Sequence, residues 1–197
     1  MHVLYGSRGS GSAAIEAASW VPGPGLDELR TVNPLAQIPT LVLPDGTVLT
    51  ESAAILMHLG LAHPDTTLLP AEASARAQTL RGLVYIAANC YAAIGIIDFP
   101  ERWCTDADEA TSKRIKAGST QRLHELWDIF ADTFPAQPFL GGRDMGALDL
   151  LAAVVSRWSG SRPHLAASRP AFRALLAHIE SDPRVAAVFT RHWPPAA

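Results

Sequence analysis

Apolar and polar positions recur along this chain in three regimes. The first opens with Val3-Leu4-Tyr5, a short apolar run expected to form a strand. Gly6-Ser7-Arg8-Gly9-Ser10-Gly11-Ser12 follows, a turn rich in residues that tolerate unusual dihedrals and can cap a helix. Ala13 to Ala18 then reads as a helix start, with Ile15 on its buried face if Ser12 is the cap. Trp20-Val21-Pro22-Gly23-Pro24-Gly25 breaks it. Leu26 to Val32 predicts a short helix that stops before Asn33-Pro34, because a residue preceding proline is pushed out of the helical region.

The second regime covers residues 38–60. Ile38-Pro39-Thr40-Leu41-Val42-Leu43 reads as a strand, Pro44-Asp45-Gly46-Thr47 as a hairpin turn, and Val48-Leu49 as the start of the return strand. Glu51 to Leu59 is a helix, with Ile55, Leu56 and Leu59 at helical spacing. His63-Pro64-Asp65 and Leu69-Pro70 mark a linker.

Beyond it every pattern is helical. Residues 71–98 predict one long helix with Leu80, Leu83, Val84, Ala87, Ala88 and Tyr91 inward. Residues 109–133 predict another with Leu123, Leu126, Trp127 and Phe130 inward. Residues 147–158 are apolar on nearly all sides, and shorter helices are expected over 172–179 and 185–189. The expected architecture is a small α/β unit over 1–64, a linker over 65–70, and an all-α helical bundle over 71–197.

Composition narrows the function. With 48% hydrophobic and 18% charged residues in 197, the chain is not a disordered one and needs no disulfides to hold a core. A net charge of −3 with scattered Lys and Arg argues against nucleic acid or an anionic membrane as partner. No basic leader precedes an apolar run, and no apolar stretch reads as a membrane span, so a cytoplasmic location is expected. Cys90 and Cys104 form neither a disulfide framework nor a metal motif, and read as buried or half-buried thiols. His58, His63, His124 and His178 lack metal-ligand spacing, so no metal is expected. No G-x-S-x-G elbow is present, and the glycines at 6, 9 and 11 lack the Lys-Ser/Thr ending of a phosphate loop.

Three constellations carry candidate chemistry. In Asn33-Pro34-Leu35-Ala36-Gln37-Ile38-Pro39-Thr40, a proline at the front of an apolar strand is either an ordinary edge residue or a cis peptide that turns neighbouring backbone groups toward a ligand. Glu51-Ser52 at a helix start is either a plain cap or an anion site, with the Ser52 hydroxyl added to free backbone N–H groups. Ser7, Ser10 and Ser12 beside Tyr5 are either a flexible capped loop or a device that stabilises a thiolate brought by the substrate, helped by the positive end of a helix.

Taken together, the run from Asn33 to Leu59, "NPLAQIPTLVLPDGTVLTESAAILMHL", resembles the loop, cis-proline, hairpin and glutathione-binding helix of the glutathione transferase superfamily. "FLGGRDMGALDLLAAVVSRW", residues 139–158, is similar to that family's capped buried helix, with Asp149 as its structural aspartate and Gly146 where Ser or Thr usually stands. "RPAFRALLAHIESDPRVAAVF", residues 169–189, resembles the closing helices of bacterial members. The resemblance implies a thioredoxin-like N-terminal domain followed by an all-helical one that contributes the acceptor pocket, and glutathione as co-substrate. It makes Pro39 the cis proline, pairs the Ile38 backbone with the cysteinyl part, gives Glu51 and Ser52 the γ-glutamyl end, and brings Gln37 toward the glycyl end. With Gly11 where many bacterial members carry cysteine, it leaves Ser10, then Ser12, to assist the thiolate, and Tyr5 behind them. Tyr85, Asn89, Tyr91 and Trp158 become walls for a small hydrophobic electrophile, and a homodimer is implied.

The implied reaction is attack of the glutathione thiolate on that electrophile, a detoxification chemistry. A glutathione-dependent isomerase or dehalogenase, and a non-catalytic glutathione-binding or protein-interaction module, are the alternatives. The chain departs from the family pattern after Ala18, where the rest of the first helix and a second strand have no obvious sequence. Either residues are missing there from the sequence or the chain is shortened. The former is expected, because a buried strand is costly to lose.

Overall fold

The structure, a computed structural model, describes residues 3–5 by their backbone and residues 24–194 in full. The loop carrying Ser7, Ser10 and Ser12 and the helix start expected over 13–18 lie outside the described residues. The sequence runs unbroken from 1 to 197, so the expected omission near Ala18 does not hold: the stretch between Tyr5 and Thr40 is short in the chain itself. Two compact units divide the chain, Met1–His63 with Glu180–Ala197, and Pro64–Ile179. The sequence pattern keeps 71–197 together, whereas the structure groups Glu180–Ala197 with the first unit.

In the first unit, strand β1 (Val3–Tyr5) is followed by helix α1 (Pro24–Val32), strands β2 (Thr40–Val42) and β3 (Val48–Thr50), and helix α2 (Ser52–Ala62). Among the described residues the sheet is three-stranded in the order β1-β2-β3, antiparallel throughout. Helix α1 starts two residues before the expected Leu26, inside the breaker cluster, because a proline lacking its N–H is at home in a first helical turn. It stops where the pattern places the stop, with the Asn33 N–H reaching the Leu29 carbonyl at 2.8 Å. The hairpin forms as expected. Leu43 N–H donates to the Thr47 carbonyl at 2.8 Å, and Gly46 takes φ 87°, a value that costs glycine little. Leu29 is the centre of a small core with Val32, Ile38 and Val42 packed on it. Helix α9 (Ala186–His192) completes the described elements near the C-terminus, with Phe189 buried.

The second unit is helical. Helix α3 (Ala73–Tyr85), a π-helical segment (Ile86–Tyr91) and helix α4 (Ala92–Asp98) form one continuous run. Helices α5 (Glu109–Thr133), α6 (Ala147–Val155), α7 (Ser161–Ser168) and α8 (Pro170–Ser181) follow, α8 ending just past the unit boundary. Helix α4 packs along α5, α3 against α6, and α5 against α7. Leu123, Leu126, Trp127 and Phe130 of α5 are all buried, as the pattern predicts.

The run over 73–98 departs from expectation in two ways. Its buried side is Thr79, Gly82, Leu83, Ile86, Cys90, Ala93 and Ile94, while Val84 and Ala88 of the expected stripe are exposed. By length and composition, moreover, Ala73–Asp98 is apolar enough to cross a membrane, which corrects the reading that no such stretch exists. In the structure its buried side packs on α5 and α6. Helix α7, which the pattern does not predict, starts after Gly160 in the left-handed region (φ 73°) and carries Pro163 in its first turn, where proline is tolerated.

Helix α6 is held by Asp149. Its buried carboxylate accepts the N–H of Gly146 at 2.9 Å and of Leu140 at 2.8 Å. Gly146 has no side chain with which to cap. Its place is set by the neighbouring strap, where Ala147 N–H donates to the Leu68 carbonyl at 2.9 Å and the Thr67 hydroxyl to the Met145 carbonyl at 2.8 Å.

Candidate functional site

Sheet register assembles the site in the first unit. Tyr5 pairs with Thr40 and Thr40 with Thr50, so the end of β1, the start of β2 and the end of β3 lie at one edge. In an antiparallel ladder the residue before one partner faces the residue after the other. Ile38-Pro39 and Glu51-Ser52, far apart in sequence, are thereby brought together. Of Tyr5 the structure describes the backbone alone, and Ser10 and Ser12 are outside the described residues.

The Ile38–Pro39 peptide is cis. Of the two readings open for Pro39, the ordinary edge position is therefore set aside. Ahead of it the chain turns tightly, with Ala36 at φ 51° and its N–H on the Asn33 carbonyl at 2.8 Å. Asn33 is 3% exposed and spends its whole side chain on this loop. Its amide donates to the Gln37 carbonyl at 2.9 Å and to the Thr40 hydroxyl at 3.0 Å, and its oxygen accepts the Leu35 N–H at 3.1 Å. The Thr40 hydroxyl donates in turn to the Gln37 carbonyl at 2.8 Å. Gln37 is exposed, while the Ile38 side chain packs on the Leu29 core.

On the facing segment, Glu51 precedes α2 with φ 66° and ψ 118°, a left-handed conformation that a non-glycine residue adopts at a cost, and its side chain caps nothing. The Ser52 hydroxyl is buried and has no hydrogen-bond partner among the described residues. The first-turn amides of α2 have no intrahelical acceptor, since the first such bond runs from Ile55 N–H to the Glu51 carbonyl at 3.0 Å. The plain-cap reading of Ser52 is thus not what the structure shows. A buried hydroxyl left unpaired costs about 1–3 kcal/mol, and the free amides of a helix start favour negative charge nearby.

The other sequence candidates lie in the second unit. The Tyr85 hydroxyl donates to the Leu126 carbonyl at 3.0 Å, and its ring packs against Phe130 and Phe134 at 5.7 and 6.1 Å between centroids. Burial raises its phenol above the ordinary value. The Asn89 amide donates to the Tyr85 carbonyl at 3.1 Å inside the π segment, where the shifted ladder frees backbone groups. Tyr91 and Trp158 meet edge to face at 5.6 Å. The structure thus joins these residues as two pairs. An open cavity of about 450 Å³ in this unit is lined by none of the four, lying between the end of α5, the 136–138 loop and α8.

Cysteine chemistry has no place in the first unit, since both thiols belong to the second. Burial pushes the Cys90 thiol up to about 12, so it stays protonated and inert. Among the described residues no group of three or more His, Cys, Asp or Glu is placed to hold a metal. His124 stacks on His164 at 4.4 Å and reaches the Ser159 carbonyl at 3.1 Å, a structural tie between α5 and the turn before α7.

Residues 15–61 match the family model of the glutathione S-transferase N-terminal domain. The chain is also 31% identical over 137 residues to an uncharacterised GST-like protein, YncG, of Escherichia coli K12, an alignment covering 69% of this chain and 64% of that one. Over these stretches it resembles the glutathione transferase superfamily. Its fold has the thioredoxin-like N-terminal and all-helical C-terminal parts of that superfamily. The glutathione S-transferase GstA of Escherichia coli O157:H7 is 29% identical over 134 residues, 68% of this chain and 62% of that protein. The chain therefore spans just under two thirds of the length of the curated relatives it matches. Among solved structures, a glutathione transferase homologue from Sulfitobacter with bound glutathione superposes with a TM-score of 0.78 at 22% identity, covering 95% of this chain and 96% of that one. A sphingomonad glutathione S-transferase complexed with glutathione gives 0.66 at 26% identity, covering 82% and 77%.

The superfamily resemblance anticipates Pro39, Glu51 and Ser52, which the register gathers. Sequence reasoning missed Asn33 and Thr40, reading the first as a helix stop and the second as a strand residue. A polar residue on each side of the Ile38–Pro39 bond was the available signal.

Proposed function

We propose that this chain is a glutathione transferase-like enzyme whose first unit holds glutathione along Gln37, Ile38, Glu51 and Ser52. The observation that carries this reading is the orphaned Ser52 hydroxyl at the start of α2, beside Glu51 in its left-handed conformation and facing the cis Ile38–Pro39 bond. A carboxylate of the γ-glutamyl end would satisfy that hydroxyl and the free first-turn amides together. The backbone of Ile38 would pair with the cysteinyl part, and Gln37 would reach the glycyl end. Ser10 or Ser12, with Tyr5 behind them, would stabilise the thiolate by hydrogen bonding, a preorganised electrostatic effect on the reacting group. In the reaction the thiol proton goes to solvent and sulfur donates a pair to form a bond to an electrophilic carbon; either a leaving group departs with its bonding pair, or the π bond of an activated alkene breaks and its pair moves to the neighbouring atom, which takes up a proton from solvent. The family resemblance also supports a cytoplasmic homodimer, and we assign its contact to the exposed side of the 73–98 run, where Val84 and Ala88 lie.

The test is calorimetric titration with glutathione. Wild type should bind, and Ser52→Ala with an unchanged melting temperature should bind at least about tenfold more weakly, the scale of one hydrogen bond to a charged group. Equal affinity would sink the site. A second reading, a glutathione-binding module without catalysis, is favoured by one observation: neither cysteine lies in the first unit. An ultraviolet titration of the bound thiol separates the two, since a thiol that ionises no more readily when bound than when free supports the module.

A further inference from the structure

Resting on the glutathione reading above, a different set of residues in the same unit carries a role that neither the family resemblance nor the sequence pattern assigns. The Gln37 carbonyl accepts from two side chains at once, the Asn33 amide at 2.9 Å and the Thr40 hydroxyl at 2.8 Å. These two donors are also bonded to each other at 3.0 Å. Asn33 and Thr40 are 3% and 0% exposed, so both donors are shielded from water, a setting in which hydrogen bonds hold geometry most firmly.

A peptide unit is planar, so pinning the Gln37 carbonyl sets the direction of the Ile38 N–H on the other edge of the same plane. Neither the N–H nor the carbonyl of Ile38 makes a backbone hydrogen bond among the described residues. Thr40 is also the β2 residue that pairs with Thr50, which immediately precedes Glu51 and Ser52. One side chain therefore ties the free Ile38 amide to the strand that carries the facing half of the site. Leu29 completes the arrangement from below: Ile38 packs on it, and its carbonyl accepts the Asn33 N–H at 2.8 Å.

We propose that Asn33 and Thr40 are positioning residues for the cysteinyl part of glutathione, acting through the Gln37–Ile38 peptide and touching no substrate atom. The role is local. It should matter for the part of the ligand that pairs with Ile38 and not for the γ-glutamyl end held at Glu51 and Ser52.

Calorimetry with two probes tests this on the full chain: glutathione, and γ-glutamylglycine, which has the γ-glutamyl end but no cysteinyl residue. Thr40→Val keeps the shape of the side chain and removes its hydroxyl. It should weaken glutathione binding by about tenfold and leave γ-glutamylglycine within about twofold of wild type. Thr40→Ser, which restores the hydroxyl, should restore glutathione affinity. If Thr40→Val does not fold, Asn33→Ser takes its place, since the shorter side chain withdraws the donor from Gln37. An equal loss for both probes, or a loss that Thr40→Ser does not rescue, means a merely structural role and overturns the inference. Glutathione binding unchanged in folded Thr40→Val overturns it alone and leaves the glutathione reading standing. Failure of wild type to bind glutathione overturns both.

Discussion

A methyl group on Gly146 would lie 2.8 Å from the carbonyl oxygen of Thr67 and 3.0 Å from that of Leu68. Real Cβ atoms do not come so close to backbone oxygen, so the strap formed by residues 67 and 68 occupies the space that a capping side chain would need. This explains the departure at the cap of α6. Over glycine a serine would gain only about a few tenths of a kcal/mol as an N-cap, and it would displace a strap held by the Ala147 N–H and the Thr67 hydroxyl. Overpacking of this kind costs about 1–3 kcal/mol. Gly146→Ser should therefore lower the melting temperature, although it restores the residue type usual at that position. A variant as stable as wild type or more so would show that the strap yields freely.

Asp149 anchors the same helix and makes stability depend on pH. Burial pushes its carboxyl above the ordinary carboxylate value, while the N–H groups of Gly146, Leu140 and Gly141 pull it back. With the folded-state value raised, folding favours the protonated form. The stability contributed by Asp149 is then fully present below the unfolded-state value and is lost as pH rises through the folded-state value. Asp149→Asn does not titrate, so the stability gap between wild type and this variant should be widest at about pH 3.5 and narrow toward about pH 7 in urea unfolding. A gap that widens as pH rises would mean that the backbone donors outweigh burial. Asp149→Ala leaves the Leu140 and Gly146 amides unpaired; it should cost about 2–4 kcal/mol at about pH 3.5, and that cost should narrow toward about pH 7 in parallel with the Asp149→Asn gap.

How far the sequence announces this structure depends on the range of the interactions involved. The hairpin over 40–50 is written in local chemistry, since Asp45 and Gly46 supply a turn that few other residues could make, and the ladder follows. Helix α5 is equally legible because large side chains, Leu123, Trp127 and Phe130 among them, mark its buried side. The 73–98 run misleads because its inward positions include Thr79, Gly82 and Cys90, while the apolar Val84 points outward. Helix packing there is decided by how closely α6 can approach, which rewards a small residue, and hydropathy does not report that. In the site, Pro39, Glu51 and Ser52 were recognisable as a family pattern. The Asn33–Gln37–Thr40 triangle was not, because it consists of side-chain bonds to backbone across a turn whose shape no periodicity encodes.

Gly82 shows the cost of that close approach. A Cβ there would stand 2.6 Å from Cδ2 and 2.8 Å from Cδ1 of Leu148, which is itself 1% exposed and has little room to move. On helix propensity alone, Gly82→Ala in α3 should stabilise by about 1 kcal/mol. The clash should reverse the sign and leave a net loss of about 1–2 kcal/mol. Leu148→Val shortens the opposing side chain and, combined with Gly82→Ala, should recover part of the loss. The double variant is thus expected to be more stable than the sum of the singles by about 0.5 kcal/mol or more. Strict additivity in a double-mutant cycle by chemical unfolding would show that the two positions do not meet.

Val84 offers the sharpest test of the proposed homodimer. It is 53% exposed in the middle of an apolar run, and Ala88 is exposed one turn further along the same side. Arg81, one turn before, has its guanidinium over the Phe134 ring at 5.2 Å, so an aromatic surface lies beside this strip. A single chain gains nothing by presenting valine to water here, whereas a partner covering the strip would remove that surface from solvent. Substituting a residue this exposed changes the stability of one chain by no more than about 0.5 kcal/mol. Val84→Asp should therefore leave the melting curve of the isolated chain nearly unchanged, while charge buried at a contact without a partner disfavours association strongly. In sedimentation equilibrium, wild type should be dimeric at micromolar concentration and Val84→Asp should dissociate at least about tenfold more readily. A monomeric wild type would remove the homodimer from the proposal, and a dimer indifferent to Val84→Asp would move its contact to another face.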